Sequence, residues 1–83
     1  MQLLINPLAV IFCPRIDEQN GFETIVQNPI TGEVFKIDKK GYQILQQVFI
    51  SSGIDDLIIK SWFGGAKFLE KMITENVIIP LNH

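Results

Sequence analysis

An α+β domain is the fold class this sequence predicts, with a three-stranded antiparallel sheet followed by three helices. Three observations carry that prediction. Side chains alternate at a period of two over 22–27 and 33–37, then apolar residues recur at helical spacing from position 42. Turn-forming clusters, Asn20-Gly21 and Asn28-Pro29-Ile30-Thr31-Gly32, cut the first part into strand-sized pieces. The chain has 83 residues, room for one domain over 1–83.

The elements follow in order. Residues 3–12 are apolar, but Asn6-Pro7 interrupts them. The run has no basic start and is shorter than the ~18 residues a membrane span needs, so it reads as a strand, strongest over 8–12 and closed by Pro14. Residues 17–21 form a turn, since Asn-Gly tolerates positive φ. A second strand covers 22–27, where Phe22, Thr24 and Val26 share one face and Glu23, Ile25 and Gln27 the other. A third covers 33–37, with Phe35 and Ile37 opposite Val34 and Lys36. Asp38 is placed to cap the first helix, whose apolar stripe is Tyr42, Leu45, Val48 and Phe49. Ser51-Ser52-Gly53 ends it. Ser52 with Asp55 resembles a capping box for a second helix over 54–62. Gly64-Gly65 separates that from a third over 66–76, which carries Leu69, Met72 and Ile73 with Phe68 beside them. Residues 77–81 are β-prone and stopped by Pro80, as a final strand or an apolar tail.

Composition limits the function classes. Hydrophobic residues make up 47% and charged ones 19%, the opposite of a disordered chain. A domain this small covers only roughly 60% of the surface its unfolded chain exposes, so so apolar a sequence is expected to dock against a partner. A net charge of −2 and a pI near 5.2 give no global footprint for nucleic acid. One cysteine, Cys13, excludes an internal disulfide and any cysteine-based metal cluster, and fits a reducing cytoplasm.

Catalysis finds no set of residues to carry it. Cys13 has no internal histidine to activate it and reads as a buried strand residue. His83, the only histidine, is the last residue and reads as solvated. Asp55 and Asp56 are adjacent, so on a helix they diverge by about 100° and suit capping and the helix dipole better than acid–base work. Asp17 and Glu18 read as a solvated corner. Gly64-Gly65 lacks the lysine and spacing of a phosphate-binding loop. No catalytic residue, metal ligand or cofactor is expected.

Two helices joined by a glycine-containing turn invite a helix-turn-helix reading. The third helix, however, offers Lys67 and Lys71 beside Glu70 and Glu75 with no arginine, which is little cation for phosphate. A meander also leaves two sheet edges, and an exposed edge is a template for another strand. Strand addition draws affinity from backbone groups and selectivity from side-chain pockets. The segment Glu33, Val34, Phe35, Lys36 and Ile37 contains no proline and leads into the helices. Lys67 and Lys71 could meet acidic residues of an incoming peptide, and Phe68 and Met72 could line an apolar groove, or be core with the lysines a solvated face.

The run from Thr31 to Leu45 resembles the segment of PqqD-like proteins in which a short strand ends in an apolar-x-Leu-Asn-like step before a helix carrying an Ile-Leu pair. Here Phe35 and Ile37 hold the apolar positions, Asp38 replaces the common Asn, and Ile44-Leu45 supply the pair. Gly53-Ile54-Asp55-Asp56-Leu57-Ile58 is similar to the family's second-helix segment. Phe68-Leu69-Glu70-Lys71-Met72 through Val77-Ile78 is similar to its third helix and closing apolar residues. The resemblance spans roughly residues 32–81 and rests on the ordered set, since no single motif is diagnostic. It implies a winged-helix-like recognition element for ribosomally made, post-translationally modified peptides. A leader peptide would add as a strand beside Glu33, Val34, Phe35, Lys36 and Ile37 and lie against Lys67, Phe68, Lys71 and Met72. The partners implied are the precursor peptide and a separate maturase, with radical-SAM enzymes as the first class to consider. No nucleic acid or membrane partner is implied, and the open strand edge permits a paired homodimer. Trp62-Phe63 is bulkier than the family pattern and could be a docking patch for that enzyme or core. The alternatives are a winged-helix DNA-binding regulator and a structural accessory subunit of an enzyme complex.

Overall fold

A computed structural model of the chain describes residues 1–17, 21–51 and 53–81, the side chains of 13–17 and 21–23 excepted. Of the turn expected over 17–21, Asp17 and Gly21 pair as strand ends, while residues 18–20, like the Ser52 cap, the burial of Cys13 and the solvation of His83, lie outside these described residues. The domain is α+β, with nine elements among the described residues. They are β1 (Gln2–Ile5), β2 (Val10–Asp17), β3 (Gly21–Gln27), β4 (Val34–Ile37), α1 (Lys39–Ser51), β5 (Ile54–Asp55), α2 (Asp56–Lys60), α3 (Gly65–Thr74) and β6 (Ile78–Leu81).

The expected meander is present as an antiparallel sheet in the order β2-β3-β4. A register shift between Phe12 and Arg15 interrupts the β2–β3 ladder around Pro14, which has no N–H to offer it. The tight link to β4 is built by Asn28. Its Oδ1 accepts from the N–H groups of Ile30 and Thr31, while its own N–H donates to the Glu33 carbonyl and its carbonyl accepts from Gly32 N–H. Gly32 sits at φ 77°, a conformation that costs most side chains energy.

A second antiparallel sheet, β5-β1-β6, was not expected. The apolar N-terminal run is split at Asn6-Pro7-Leu8. Asn6 Oδ1 accepts from Leu8 N–H and the Asn6 carbonyl from Ala9 N–H, which turns the chain out of β1 before β2 begins. β1 pairs along its length with β6, so residues 77–81 supply a strand rather than a tail. Pro80 sits in β6, an edge strand, where a missing N–H is tolerated.

The helices match their expected order with shifted ends. Asp38 Oδ1 accepts the Gly41 N–H at 2.8 Å, so it caps α1 as read. The buried face of α1 is Gly41, Ile44, Leu45 and Val48. That is a stripe turned from the one expected, and Phe49 is 74% exposed. Ile54-Asp55 forms a short strand instead of a first helical turn. Asp55 is the cap of α2, accepting the Leu57 N–H at 2.9 Å. α3 ends in a Schellman motif: Asn76, at φ 61°, donates to Ile73 O, and Val77 N–H donates to Met72 O.

The core joins both sheets and all three helices through Leu3, Val26, Ile44, Leu45, Val48, Ile54, Ile59, Leu69, Met72, Val77 and Ile78. Thr24 Oγ1, on β3, is buried there without a hydrogen-bond partner. Much apolar surface stays outside: Leu8, Val10, Phe12, Val34, Phe49 and Phe63 are all more than half exposed.

The charged Asp56 is also buried, at the start of α2. Lys60 Nζ lies 3.0 Å from its Oδ2 and the amino group of Met1 3.2 Å from its Oδ1. These partners, Lys60 first, hold its carboxyl down to about 2. A carboxyl depressed in the folded state contributes stability above its ordinary value of 3.8 and loses it as pH falls towards 2. Thermal melts of the wild type and Asp56→Asn are therefore expected to differ at neutral pH, with the wild type higher. The gap should close as pH falls between about 4 and 2. A gap independent of pH would remove the ionised carboxylate from this role.

Candidate cleft between the sheet edge and the third helix

β4 is an edge strand: β3 pairs with one side of it, and no other strand among the described residues pairs with the other. The partners are Val26↔Phe35 and Gln27↔Val34, and the bond from Asn28 N–H to Glu33 O sets the alternation. Phe35 and Ile37 therefore turn their backbone groups to β3, while the N–H and C=O of Val34 and Lys36 point to the open side. Glu33, expected as the first pairing residue, lies ahead of the strand with its carbonyl bonded into the turn. Phe35 and Ile37 pack against the core, whereas Val34 and Lys36 are exposed.

Three contacts set α3 alongside this strand and running the other way. Near the start of β4, Asn28 Nδ2 donates to Glu75 Oε2 at 3.1 Å. At its middle, Lys71 Nζ lies 5.1 Å from the centre of the Phe35 ring. Just past its end, the Phe68 ring lies over Gly41 so closely that a Cβ there would come within 2.6 Å of it. Asn6 Nδ2 donates to the carbonyl of Asn76, which ties the end of α3 back to β1.

Four residues were expected to form the facing wall, and the structure separates them. Lys67 and Lys71 are exposed and Phe68 is half-buried against the core. Met72 has no exposed surface and belongs to the core, so it cannot touch a ligand in this arrangement. The groove reading of Met72 fails because Phe68 and Met72, though one turn apart, stand at the rim and centre of the buried stripe. The Trp62-Phe63 pair divides as well. Trp62 packs against the core and lines a shallow 530 Å³ pocket with Lys40, Gln43 and Gln47, while Phe63 is 88% exposed.

A smaller pocket of about 190 Å³ opens where β4 meets α1, walled by Asp38, Lys40, Gly41, Phe63, Gly64 and Phe68. Lys40 Nζ lies 4.4 Å from the centre of the Phe63 ring, a cation–π contact across the mouth. Neither Lys40 nor Gly41 was expected as a site residue; a glycine one turn inside a helix was the available signal, since it is unfavourable there without a packing reason. Among the described residues no group of three or more His, Cys, Asp or Glu side chains could hold a metal ion, and no helix is long and apolar enough to cross a membrane.

Comparison with known proteins adds no relative: no family model matches the chain, and no curated protein or solved structure gave a significant match.

Proposed function

We propose that this domain captures an extended peptide by strand addition to β4, and that the peptide is the leader segment of a ribosomally synthesised precursor. Captured there, the leader would deliver the rest of the precursor to a separate modifying enzyme, for which a radical-SAM maturase is the first candidate. Holding the substrate raises its effective concentration at that enzyme without any catalytic group in this chain. The resemblance to PqqD-like proteins points the same way. The observation that supports it is an edge strand whose Phe35 ring is reached by Lys71 of a helix bearing exposed lysines. Backbone groups on the open side of β4, those of Val34 among them, would supply affinity and the α3 wall selectivity.

The test is an amide NMR titration with the synthetic leader of the precursor encoded beside this protein. Shifts are expected to concentrate in β4 and on the Lys67–Lys71 face of α3. Val34→Pro removes an N–H that points away from β3, so the fold should survive while affinity falls about tenfold or more. Leader binding that Val34→Pro leaves unchanged would overturn strand addition. No leader binding, with salt-sensitive retention on DNA instead, would favour a DNA-binding regulator.

A further inference from the structure

We infer that the pocket at the end of β4 is a specificity site, taking an apolar side chain that has a carboxylate within two residues of it along an extended peptide. This rests on the proposed capture of a peptide at β4 and names the chemistry of the peptide captured.

Position comes first. Asp38 directly follows β4 and forms one wall of the pocket, so a strand lying along Val34–Ile37 arrives at its mouth. Size comes next. The volume of about 190 Å³ equals about six water molecules' share of the liquid, space for one large side chain. Gly41 lets the Phe68 ring stand as one wall of that space, because a side chain there would drive the ring aside. At Gly64, φ 73° turns the chain and nothing lies within 4 Å of a Cβ built there. The walls are largely apolar, and Phe63 keeps 88% of its surface in water at the rim. An exposed aromatic beside a pocket is the arrangement in which binding hot spots are found.

Charge decides what accompanies the apolar group. The chain as a whole is net −2, yet five of its seven basic residues fall in 36–40 and 67–71, against Asp38 and Glu70. Asp38 spends an oxygen on the Gly41 N–H. Lys40 stands at the mouth over Phe63, and Lys71 stands farther along the cleft over Phe35. A peptide threaded past these ammonium groups is favoured when it is acidic and disfavoured when it is basic.

A random peptide library displayed on phage and selected on the immobilised full-length chain tests this directly. The expected result is enrichment of sequences in which an aliphatic or aromatic residue has Asp or Glu within two positions. Lys40→Glu should erase that acidic preference, while Lys39→Glu, an equal change of charge one residue outside the pocket, should keep it. Gly41→Ala, checked for folding by circular dichroism, should weaken a selected synthetic peptide about tenfold. Binders that disappear with Val34→Pro but show no acidic or apolar preference, and ignore Lys40→Glu, would overturn the specificity site and leave strand addition standing. Binders of the expected kind that ignore Val34→Pro would do the reverse. Selection of no binder at all would overturn both.

Discussion

Gly65→Ala is expected to abolish or nearly abolish folding. A Cβ at this position would fall inside the carbonyl oxygen of Ile59 and touch its carbon, so the obstacle is backbone and no side chain can swing away. Overpacking against a yielding neighbour costs about 1–3 kcal/mol, and this neighbour does not yield. A domain of this length has roughly 4–12 kcal/mol of total stability, so the loss takes a large part of it. Gly64→Ala is the control. Its penalty comes only from positive φ, about 1–2 kcal/mol, because nothing crowds it. Urea unfolding of both variants, followed by Trp62 fluorescence, should rank Gly65→Ala far below Gly64→Ala. Equal midpoints would show that the α2–α3 turn can open to admit a side chain.

Leu3→Ala is expected to cost about 2–5 kcal/mol. Leu3 lies in the middle strand of the second sheet, opposite Ile54 on one side and Pro80 on the other, and is fully buried. Truncation leaves a cavity in the core that Leu3 shares with Ile54 and Ile78. Leu8→Ala, a few residues on but three-quarters exposed, should change stability by no more than about 0.5 kcal/mol. A small effect at Leu3 would mean that the N-terminal strand adds little to the fold.

These two positions mark the boundary of what the sequence made legible. Elements with a local signature were readable: the Asn28–Gly32 turn, the alternation through Phe35 and Ile37, the cap at Asp38 and the stripe of Leu69 and Met72. The second sheet was not, because its strands have two to four residues and find their partners far along the chain. Ile54-Asp55 could read as a helical turn until Gln2 and Leu3 were seen to pair with it. Within the candidate cleft, the strand and the two lysines of α3 were visible as patterns. The Lys40–Phe63 contact was not, since it joins residues of different elements. Nor could spacing separate Phe68 from Met72, because a helical interval does not reveal how far round the buried face a residue stands.

The pairing of β1 with β5 and β6 also governs the order in which the chain can assemble. On a ribosome the segment Gln2–Ile5 emerges well before its partners, which are Asp55, Ile54 and residues 78–81. The β2-β3-β4 meander and α1 can associate while synthesis continues, because their contacts are between neighbours. β1 cannot be covered on both sides until β6 has left the exit tunnel. Throughout that interval the nascent protein carries a sticky, uncovered strand. Its closure, a long-range and slow step, is where chaperones would find this chain and where misassembly with a second copy would begin.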